Sequence, residues 1–183
     1  LLILDEIQPG IGRTGKLFGF ENYNCKPDII VTGKGLGGGM PIGAFISSNK
    51  IMKTISNNPK LGHITTFGGN AVIAASAYQT LKIITESSLM NQTLSKEILF
   101  RKELKHPLIK EIRGKGLMLA IILESPEIAD KLVINCKENG LLLFWLLIEK
   151  RAIRITPPLT ISEKEILIGC NIIIEQLENL SVN

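Results

Sequence analysis

The sequence predicts an α/β fold, and two features of its 183 residues carry that prediction. In the first part of the chain, short apolar runs rich in β-branched residues are bounded by glycine or proline, as buried strands are. Longer segments with helical spacing of apolar residues follow, and beyond Pro107 strand-like and helical segments alternate. With 45% hydrophobic and 21% charged residues, the chain is neither a disordered polymer nor a charged tail.

Three strands are predicted in the first part of the chain, over residues 1–7, 28–32 and 42–47. Most of the glycines lie between Gly10 and Gly43, among and beside these strands, and this density is typical of a site built from loops.

Helices are predicted next. Asn70 is suited to cap a helix over residues 71–87, and a second helix is predicted over about residues 91–105. We place a domain boundary between Leu81 and Pro107, so that residues 1–80 form one domain and residues 81–183 the next.

The last part of the chain predicts a second α/β unit. A strand over residues 117–123 precedes a helix that Ser125 and Pro126 begin and Gly140 ends. The apolar run 141–148 and residues 152–156 predict two further strands. A capping box at residues 162–165 begins the closing helix, whose apolar face is predicted to comprise Ile166, Cys170, Ile173, Leu177 and Leu180.

The composition of the chain indicates which partners and which cellular compartment to expect. The net charge of +4 comes from scattered lysines and arginines, which predicts no nucleic-acid partner, and no apolar run approaches the roughly 18 residues of a membrane helix. The three cysteines are widely separated, and no secretory signal is visible, so we expect a reducing, cytoplasmic location and no structural metal. Because the chain opens with Leu1 inside a strand-like run, we expect it to be part of a longer protein.

Two glycine patterns resemble phosphate-binding loops. Residues 10–15 and residues 33–38 both match G-x-G-x-x-G, the dinucleotide fingerprint, which requires a helix directly after it. Residues 16–19 do not predict such a helix, so nicotinamide binding is a weak alternative. A Walker-type loop is disfavoured because Gly35 follows Lys34 where serine or threonine would bind magnesium.

Lys34 and Asp5 each follow an apolar strand, beside a glycine-rich loop. A lysine at the end of a buried strand loses part of its solvation, which favours the neutral amine that attacks a carbonyl. Each residue also has a plain interpretation: Lys34 as a solvated lysine in a turn, Asp5 or Glu6 as a loop cap or a solvated acid. Together, an acid and a lysine at the ends of neighbouring strands are the two groups that pyridoxal phosphate chemistry requires.

The motifs of the chain closely resemble those of the class III aminotransferases of the ornithine/acetylornithine type. The resemblance covers nearly all 183 residues but only about the C-terminal half of such an enzyme. The motifs that carry it are Leu4-Asp5-Glu6-Ile7-Gln8, Gly10-Ile11-Gly12-Arg13-Thr14-Gly15-Lys16, Pro27-Asp28-Ile29-Ile30, Gly33-Lys34-Gly35-Leu36-Gly37-Gly38-Gly39-Met40-Pro41-Ile42-Gly43-Ala44 and Thr66-Phe67-Gly68-Gly69-Asn70.

The resemblance implies a fold and an assembly. The fold would be that of the fold type I pyridoxal-phosphate-dependent transferases, with part of the large-domain sheet followed by the C-terminal small α/β domain. The cofactor would be pyridoxal 5′-phosphate, the partners a small-molecule amino donor and a 2-oxo acid, and the assembly a homodimer with shared active sites.

The resemblance also implies a role for each site residue. Lys34 would form the Schiff base with the cofactor and then shuttle a proton, and Asp5 would pair with the pyridinium nitrogen. Gln8 would lie near the phenolic oxygen, and Thr66 would reach the phosphate of a cofactor held mainly by the neighbouring subunit. Arg154 would face the substrate pocket, where it binds a carboxylate or pairs with an acid; its alternative is a strand-edge arginine on solvent.

Other functions stay open at this point. An aminomutase or a decarboxylase of the same fold would share Asp5 and Lys34, and a chain without an upstream half would be a non-catalytic fragment. The sequence departs from the family pattern at Pro9 and Ala71, which leaves the loop shape and the helix start in question but not the reaction.

Overall fold

The computed structural model describes residues 1–181, except for the side chain of Asn57. The chain forms two compact units, Leu1–Met90 and a second that begins at Asn91, and each is described here by itself. The sequence-based division after residue 80 stays a prediction.

The first unit contains a three-stranded sheet in the order β1-β2-β3. Strand β1 (Ile3–Asp5) pairs in parallel with β2 (Ile29–Gly33), and β2 pairs antiparallel with β3 (Gly43–Ser47). The register sets Asp5 opposite Val31. The carboxyl ends of β1 and β2 therefore lie at the same edge of the sheet.

Helices follow this sheet. The short helices α1 (Asn49–Met52) and α2 (Thr54–Asn57) precede α3 (Ala71–Glu86). Asn70 caps α3 as predicted, because its Oδ1 accepts hydrogen bonds from the N–H groups of Val72 and Ile73. Helix α4 (Leu89–Glu103) then leads into the second unit.

The three predicted strands exist, but they are more exposed than the buried strands that their apolar sequences predict. Ile3 is 57% exposed and Ile46 49%, and β1 spans three residues of the predicted seven. Strand β1 ends at Asp5 because the chain turns there: the Asp5 carboxylate accepts from the N–H of Ile7. Apolar runs become fully buried only where both faces of the sheet are covered, and here one face lines an open cleft.

The second unit contains a four-stranded antiparallel sheet in the order β4-β5-β7-β6, packed with helices α5 and α6. Ser125 caps α5 through the N–H of Ile128, and Ser162 and Glu165 form the predicted capping box of α6. The elements are β4 (Ile109–Lys115), β5 (Met118–Leu123), α5 (Pro126–Glu138), β6 (Phe144–Trp145), β7 (Ala152–Ile155) and α6 (Glu163–Ser181).

One continuous hydrophobic core holds this unit together. It joins the inward faces of β5 and β7 to helices α5 and α6, and the predicted apolar face of α6 lies in or against it. Its fully buried members include Leu117, Ile121, Leu123, Leu132, Ile153, Ile166, Ile173 and Leu177.

Two predictions in this unit were wrong or incomplete. The run 141–148 was expected to be a strand, but only Phe144–Trp145 pairs, and Leu147 and Ile148 are 85% and 95% exposed. Strand β4 was not predicted, because its apolar residues Ile109 and Ile112 are three apart. A β-bulge between Ile109 and Glu111 shifts the register so that both face buried residues of β5.

None of the helices described is long and apolar enough to span a lipid bilayer.

Candidate active site

Lys34 and Asp5 come together at one edge of the sheet in the first unit. Strands β1 and β2 are adjacent and parallel, Asp5 is the last residue of β1, and Lys34 directly follows Gly33 at the end of β2. Both side chains are exposed. The carboxyl ends of strands in open α/β sheets are where ligands bind, so the topology places a candidate site at this edge.

Lys34 begins a 3-10 turn, Lys34–Gly37, and its backbone is in the left-handed region with a φ of 43°. This conformation is uncommon for a residue that carries a side chain. Burial was expected to remove part of the solvation of the Lys34 amine. In the described structure, Lys34 is instead exposed. The turn extends past the end of β2, so the Lys34 amine is not buried against the strand.

Helix α3 fixes the far end of this turn. Ser76 Oγ donates to the carbonyl oxygen of Gly37 at 2.7 Å. Gly38 has a φ of 58°, and a Cβ placed there would collide with Thr80 Oγ1. Both features require glycine at this position.

Asp5 can both cap the loop after β1 and serve as the acid of the candidate site. Its Oδ1 accepts from the backbone N–H of Ile7 at 3.0 Å, so it does cap the turn after β1. The carboxylate is nevertheless exposed at the edge that carries Lys34. It can hold a protonated ring nitrogen while it caps the turn.

Gln8 and Thr66 are both exposed in loops of the first unit. Gln8 lies three residues beyond Asp5. Thr66 lies in the segment before the α3 cap, where its neighbours Thr65 and Gly68 line a cleft. Their predicted contacts with a cofactor stay predictions.

That cleft lies over the face of the sheet and has a volume of about 1460 Å³. Ligand pockets for small molecules usually have volumes of about 300–1000 Å³, so this open cleft is larger than a typical small-molecule pocket. Apolar side chains of all three strands form its floor, and Lys34, His63 and Thr65 contribute polar groups to its wall. Among the described residues, no group of three or more histidine, cysteine, aspartate or glutamate side chains is placed to bind a metal ion.

Glu6 is a supporting residue that sequence reasoning treated only as a cap or a solvated acid. It is 3% exposed, and its two carboxylate oxygens accept from the backbone N–H groups of Gly19 and Phe20 at 2.7 and 2.8 Å. Its own carbonyl accepts from Gly10. Strand alternation was the available signal, since it turns Glu6 inward where Asp5 turns outward.

Arg154 lies in strand β7 of the second unit and is half-buried. Its guanidinium carbon lies 5.7 Å from the centroid of the Phe144 ring, and the two residues are paired across β6 and β7. Arg154 is therefore held by a cation–π contact, not simply extended into solvent. The aromatic partner was not predicted, because residues 141–148 read as a uniform apolar run.

Comparison with known proteins identifies the family of the chain. The family model of the class-III aminotransferases matches residues 1–177. Acetylornithine aminotransferase of Bacillus subtilis is 41% identical over 170 residues, which cover 91% of this chain and 42% of that protein. The chain thus spans less than half the length of this curated relative.

Solved structures show the same fold. An aminotransferase from Bacillus anthracis superposes with a TM-score of 0.88 at 33% identity, covering 98% of this chain and 45% of that one. Ornithine aminotransferase from Plasmodium yoelii gives a TM-score of 0.85 at 32% identity, covering 98% and 48% of the two chains. The chain has the α/β fold of these enzymes, and the match over residues 1–177 shows that it belongs to the class-III aminotransferase family.

Proposed function

We propose that the protein is an aminotransferase that moves an amino group from an amino acid or ω-amino donor to a 2-oxo acid, with pyridoxal 5′-phosphate bound at Lys34. The observation that carries the proposal is the placement of Lys34 and Asp5 at the carboxyl ends of two adjacent parallel strands, at one edge of the sheet. Membership of the class-III family and the names of the relatives support it.

The residues at this edge fit the cofactor. An exposed amine, a carboxylate and the amide of Gln8 are the groups that an aldehyde, a ring nitrogen and a phenolic oxygen need. At Gly43, opposite Gly33, an added Cβ would meet nothing within 4 Å, so the wall is open there. Thr32 Oγ1, also in the wall, is buried without a hydrogen-bond partner among the described residues, which leaves a polar atom for a bound group.

Lys34 has two tasks in this proposal. Its amine would hold the cofactor at the aldehyde carbon until an amino donor takes its place, which would leave the amine free. The displaced amine then removes the proton from the amino-bearing carbon of the donor. Pyridoxal phosphate, when bound, supplies a ring that accepts the negative charge developed at that carbon. The left-handed turn extends Lys34 beyond the sheet, which leaves the amine free to move between these tasks.

The other residues orient the reacting groups. Asp5 would keep the ring nitrogen protonated by a charge-assisted hydrogen bond, and Gln8 would donate to the phenolic oxygen. Thr66 binds the phosphate. Arg154, with its guanidinium over the Phe144 ring, has N–H groups that can bind a substrate carboxylate in a bidentate manner.

We further propose that the protein is a cytoplasmic homodimer in which Thr66 serves the site of the neighbouring subunit. Two observations support the shared site. Thr66 is exposed, and the adjacent side chains of Ile64 and Phe67 are 67% and 79% exposed, as apolar residues that a second subunit covers would be.

Activity is tested by incubating the protein with pyridoxal phosphate, 2-oxoglutarate and, in turn, ornithine, N-acetylornithine or 4-aminobutyrate, and measuring the glutamate formed. We expect turnover with at least one donor and a loss of roughly 10²–10⁴-fold or more in Lys34→Ala. The matched control, Lys26→Ala, removes another exposed lysine and should retain activity. Release of carbon dioxide without glutamate would instead indicate a decarboxylase and contradict the proposal.

The shared site is tested by mixing two inactive variants, Lys34→Ala and Thr66→Ala, and letting the subunits exchange. If Thr66 serves the neighbouring subunit, each mixed dimer contains one site with both native residues, and activity returns. If both residues serve the same subunit, every site in the mixture lacks one of them, and activity stays absent.

A further inference from the structure

The guanidinium of Arg154 has an aromatic partner and no acidic one. Its central carbon lies 5.7 Å from the centroid of the Phe144 ring, which is within the range of a cation–π contact. Among the residues that the structure describes, no carboxylate forms an ion pair with Arg154, and no acceptor takes a hydrogen bond from its guanidinium. Because arginine stays protonated in proteins, this group keeps its charge and its N–H donors for a ligand.

Two carboxylates on the same sheet are each paired with another arginine. Glu149 accepts hydrogen bonds from Arg151 Nε at 3.1 Å and from its Nη2 at 3.0 Å, and these bonds lower the pKa of the Glu149 carboxyl to about 2. Glu111 accepts from Arg113 Nε at 2.8 Å. Both acids therefore have a partner of their own, and neither neutralises Arg154.

Arg154 and Phe144 both line a cavity of about 170 Å³ in the second unit. Apolar residues such as Leu142 form most of its lining. An acid, Glu165, also lines the cavity, but its Oε2 accepts from the N–H and the hydroxyl of Ser162 in the capping box of α6. An unpaired cation beside apolar side chains suits the carboxylate of an organic acid.

The β6–β7 hairpin brings the Phe144 ring to Arg154. The register pairs the two residues directly, and side chains of directly paired residues in antiparallel strands lie on the same face of the sheet. The N–H of Leu146 continues the pairing by donating to the carbonyl of Ala152 at 3.0 Å. The turn is closed by the N–H of Ala152, which donates to the carbonyl of Glu149 at 3.0 Å. The backbone thus sets the approach, and the ring makes the contact.

We propose that Phe144 is a positioning residue for Arg154: its ring holds the guanidinium without using the N–H groups, which stay available to bind a carboxylate. An acid at position 144 would compete with that carboxylate for the same donors. An aliphatic side chain would leave the long arginine side chain free to change rotamer, and binding would then have to order it. The inference rests on the proposed function in one respect, namely that Arg154 binds the substrate carboxylate.

Three substitutions at position 144 test the proposal. Phe144→Leu removes the ring, Phe144→Tyr keeps it, and Phe144→Glu supplies a competing carboxylate. Phe144 is 59% exposed, so these changes should not disturb the core. Leu147→Ala is the matched control, because Leu147 is 85% exposed in the same hairpin and lies outside the cavity lining.

The first readout is the proton resonance of the Arg154 Nε–H in nitrogen-15-labelled protein, assigned by its loss in Arg154→Lys. The field of an aromatic ring displaces the resonances of protons that lie against it. We expect the Arg154 resonance to move toward the position of a solvent-exposed arginine in Phe144→Leu. It should keep its native position in Phe144→Tyr and in Leu147→Ala.

The second readout is the KM for 2-oxoglutarate in the aminotransferase assay. We expect Phe144→Leu to raise this KM by about threefold to tenfold, with kcat changed by less than about twofold, because Lys34 and Asp5 are untouched. Phe144→Glu should raise it by more than about tenfold, since its carboxylate pairs with Arg154. Phe144→Tyr should restore the native KM.

The outcomes separate the two proposals. If native protein forms no glutamate from any donor, the proposed function fails, while the resonance still decides whether Phe144 holds Arg154. If native protein is active and both Phe144→Leu and Phe144→Glu keep the native KM, the positioning role is overturned. An unmoved Arg154 resonance in Phe144→Leu would overturn the contact itself. If Phe144→Leu does not fold, Phe144→Met, which has no ring, takes its place in both readouts.

Discussion

The two units of the chain differ in how many of their hydrophobic residues are buried. In the described part of the first unit, the buried hydrophobic residues are Ile11, Leu36, Ala77 and Ile84, and Leu36 belongs to the turn that begins at Lys34. The second unit contains a continuous core with residues from both its sheet and its helices. The first unit thus contains strained backbone, exposed polar groups and a cleft, and the second contains most of the buried apolar surface.

This difference shows where stability and chemistry are placed. Hydrophobic burial is the main favourable contribution to folding, so we expect the second unit to be the more stable of the two when each is considered by itself. Lys34 and Ile11 adopt left-handed conformations that cost free energy and persist only where neighbouring contacts enforce them. Four substitution or labelling experiments test this contrast.

The largest expected contrast is in cysteine reactivity. Cys25 is exposed in the first unit, whereas Cys136 and Cys170 are buried in the core of the second. Burial raises the pKa of Cys136 to about 11 and that of Cys170 to about 12. Labelling with a maleimide at pH 8 should modify Cys25 first and the two core thiols about 10³-fold or more slowly, since they react only from opened states.

The same thiols predict a pH dependence of stability. A thiol whose pKa is raised on folding favours the folded state below its unfolded pKa, near 8.5, and loses that contribution as pH rises toward 11 and 12. The free energy of unfolding should therefore fall above about pH 9, and Cys136→Ser or Cys170→Ser should reduce this fall. In the maleimide experiment described above, equal labelling of all three cysteines in native protein would contradict the burial of Cys136 and Cys170 in the core.

The second contrast concerns deletion of apolar side chains. Leu132→Ala removes a fully buried side chain and should lower the free energy of unfolding by about 3 kcal/mol, because it leaves a cavity in the core. Ile3→Ala removes a side chain that is 57% exposed, and it should cost less than about 1 kcal/mol. Urea titration measures both, and similar losses would show that the sheet of the first unit is buried after all.

The third contrast lies within the loop that follows Lys34. Gly38→Ala meets Thr80 and requires a left-handed alanine, so we expect a loss of about 2 kcal/mol in local stability. Gly35→Ala makes only ordinary contact with Ile11 and should cost less than half of that. Hydrogen exchange at residues 34–39 measures the difference, and equal protection in the two variants would exclude the clash.

The smallest expected effect compares one helix cap from each unit. Asn70→Ala removes the cap of α3, and Ser162→Ala removes the cap of α6; each should cost about 1 kcal/mol. Exchange rates in the first turn of each helix report the change. An unchanged first turn in Asn70→Ala would show that packing, rather than the cap, begins α3.

Much of this structure followed from local sequence rules. Caps, strand positions and the closing helix were predictable because Asn70, Ser125 and the residues of the capping box at 162–165 act on backbone within a few positions. The adjacency of Asp5 and Lys34 also followed, since both end apolar runs of the same sheet.

Features that depend on distant partners were not predictable. The β-bulge after Ile109 breaks the alternation by which a strand is recognised. The contact between Phe144 and Arg154 joins residues in different strands, and no local pattern encodes it. The exposure of Lys34 differs from expectation because its turn extends past the strand.

The proposed function depends most directly on Lys34 as the amine that binds pyridoxal phosphate. The protein is mixed with the cofactor and reduced with borohydride, and the modified peptide is then mapped by mass. We predict modification at Lys34 in the native protein and in Lys26→Ala, and none at this peptide in Lys34→Ala. Native protein that takes up no label at Lys34, or label spread evenly over many lysines, would contradict the account.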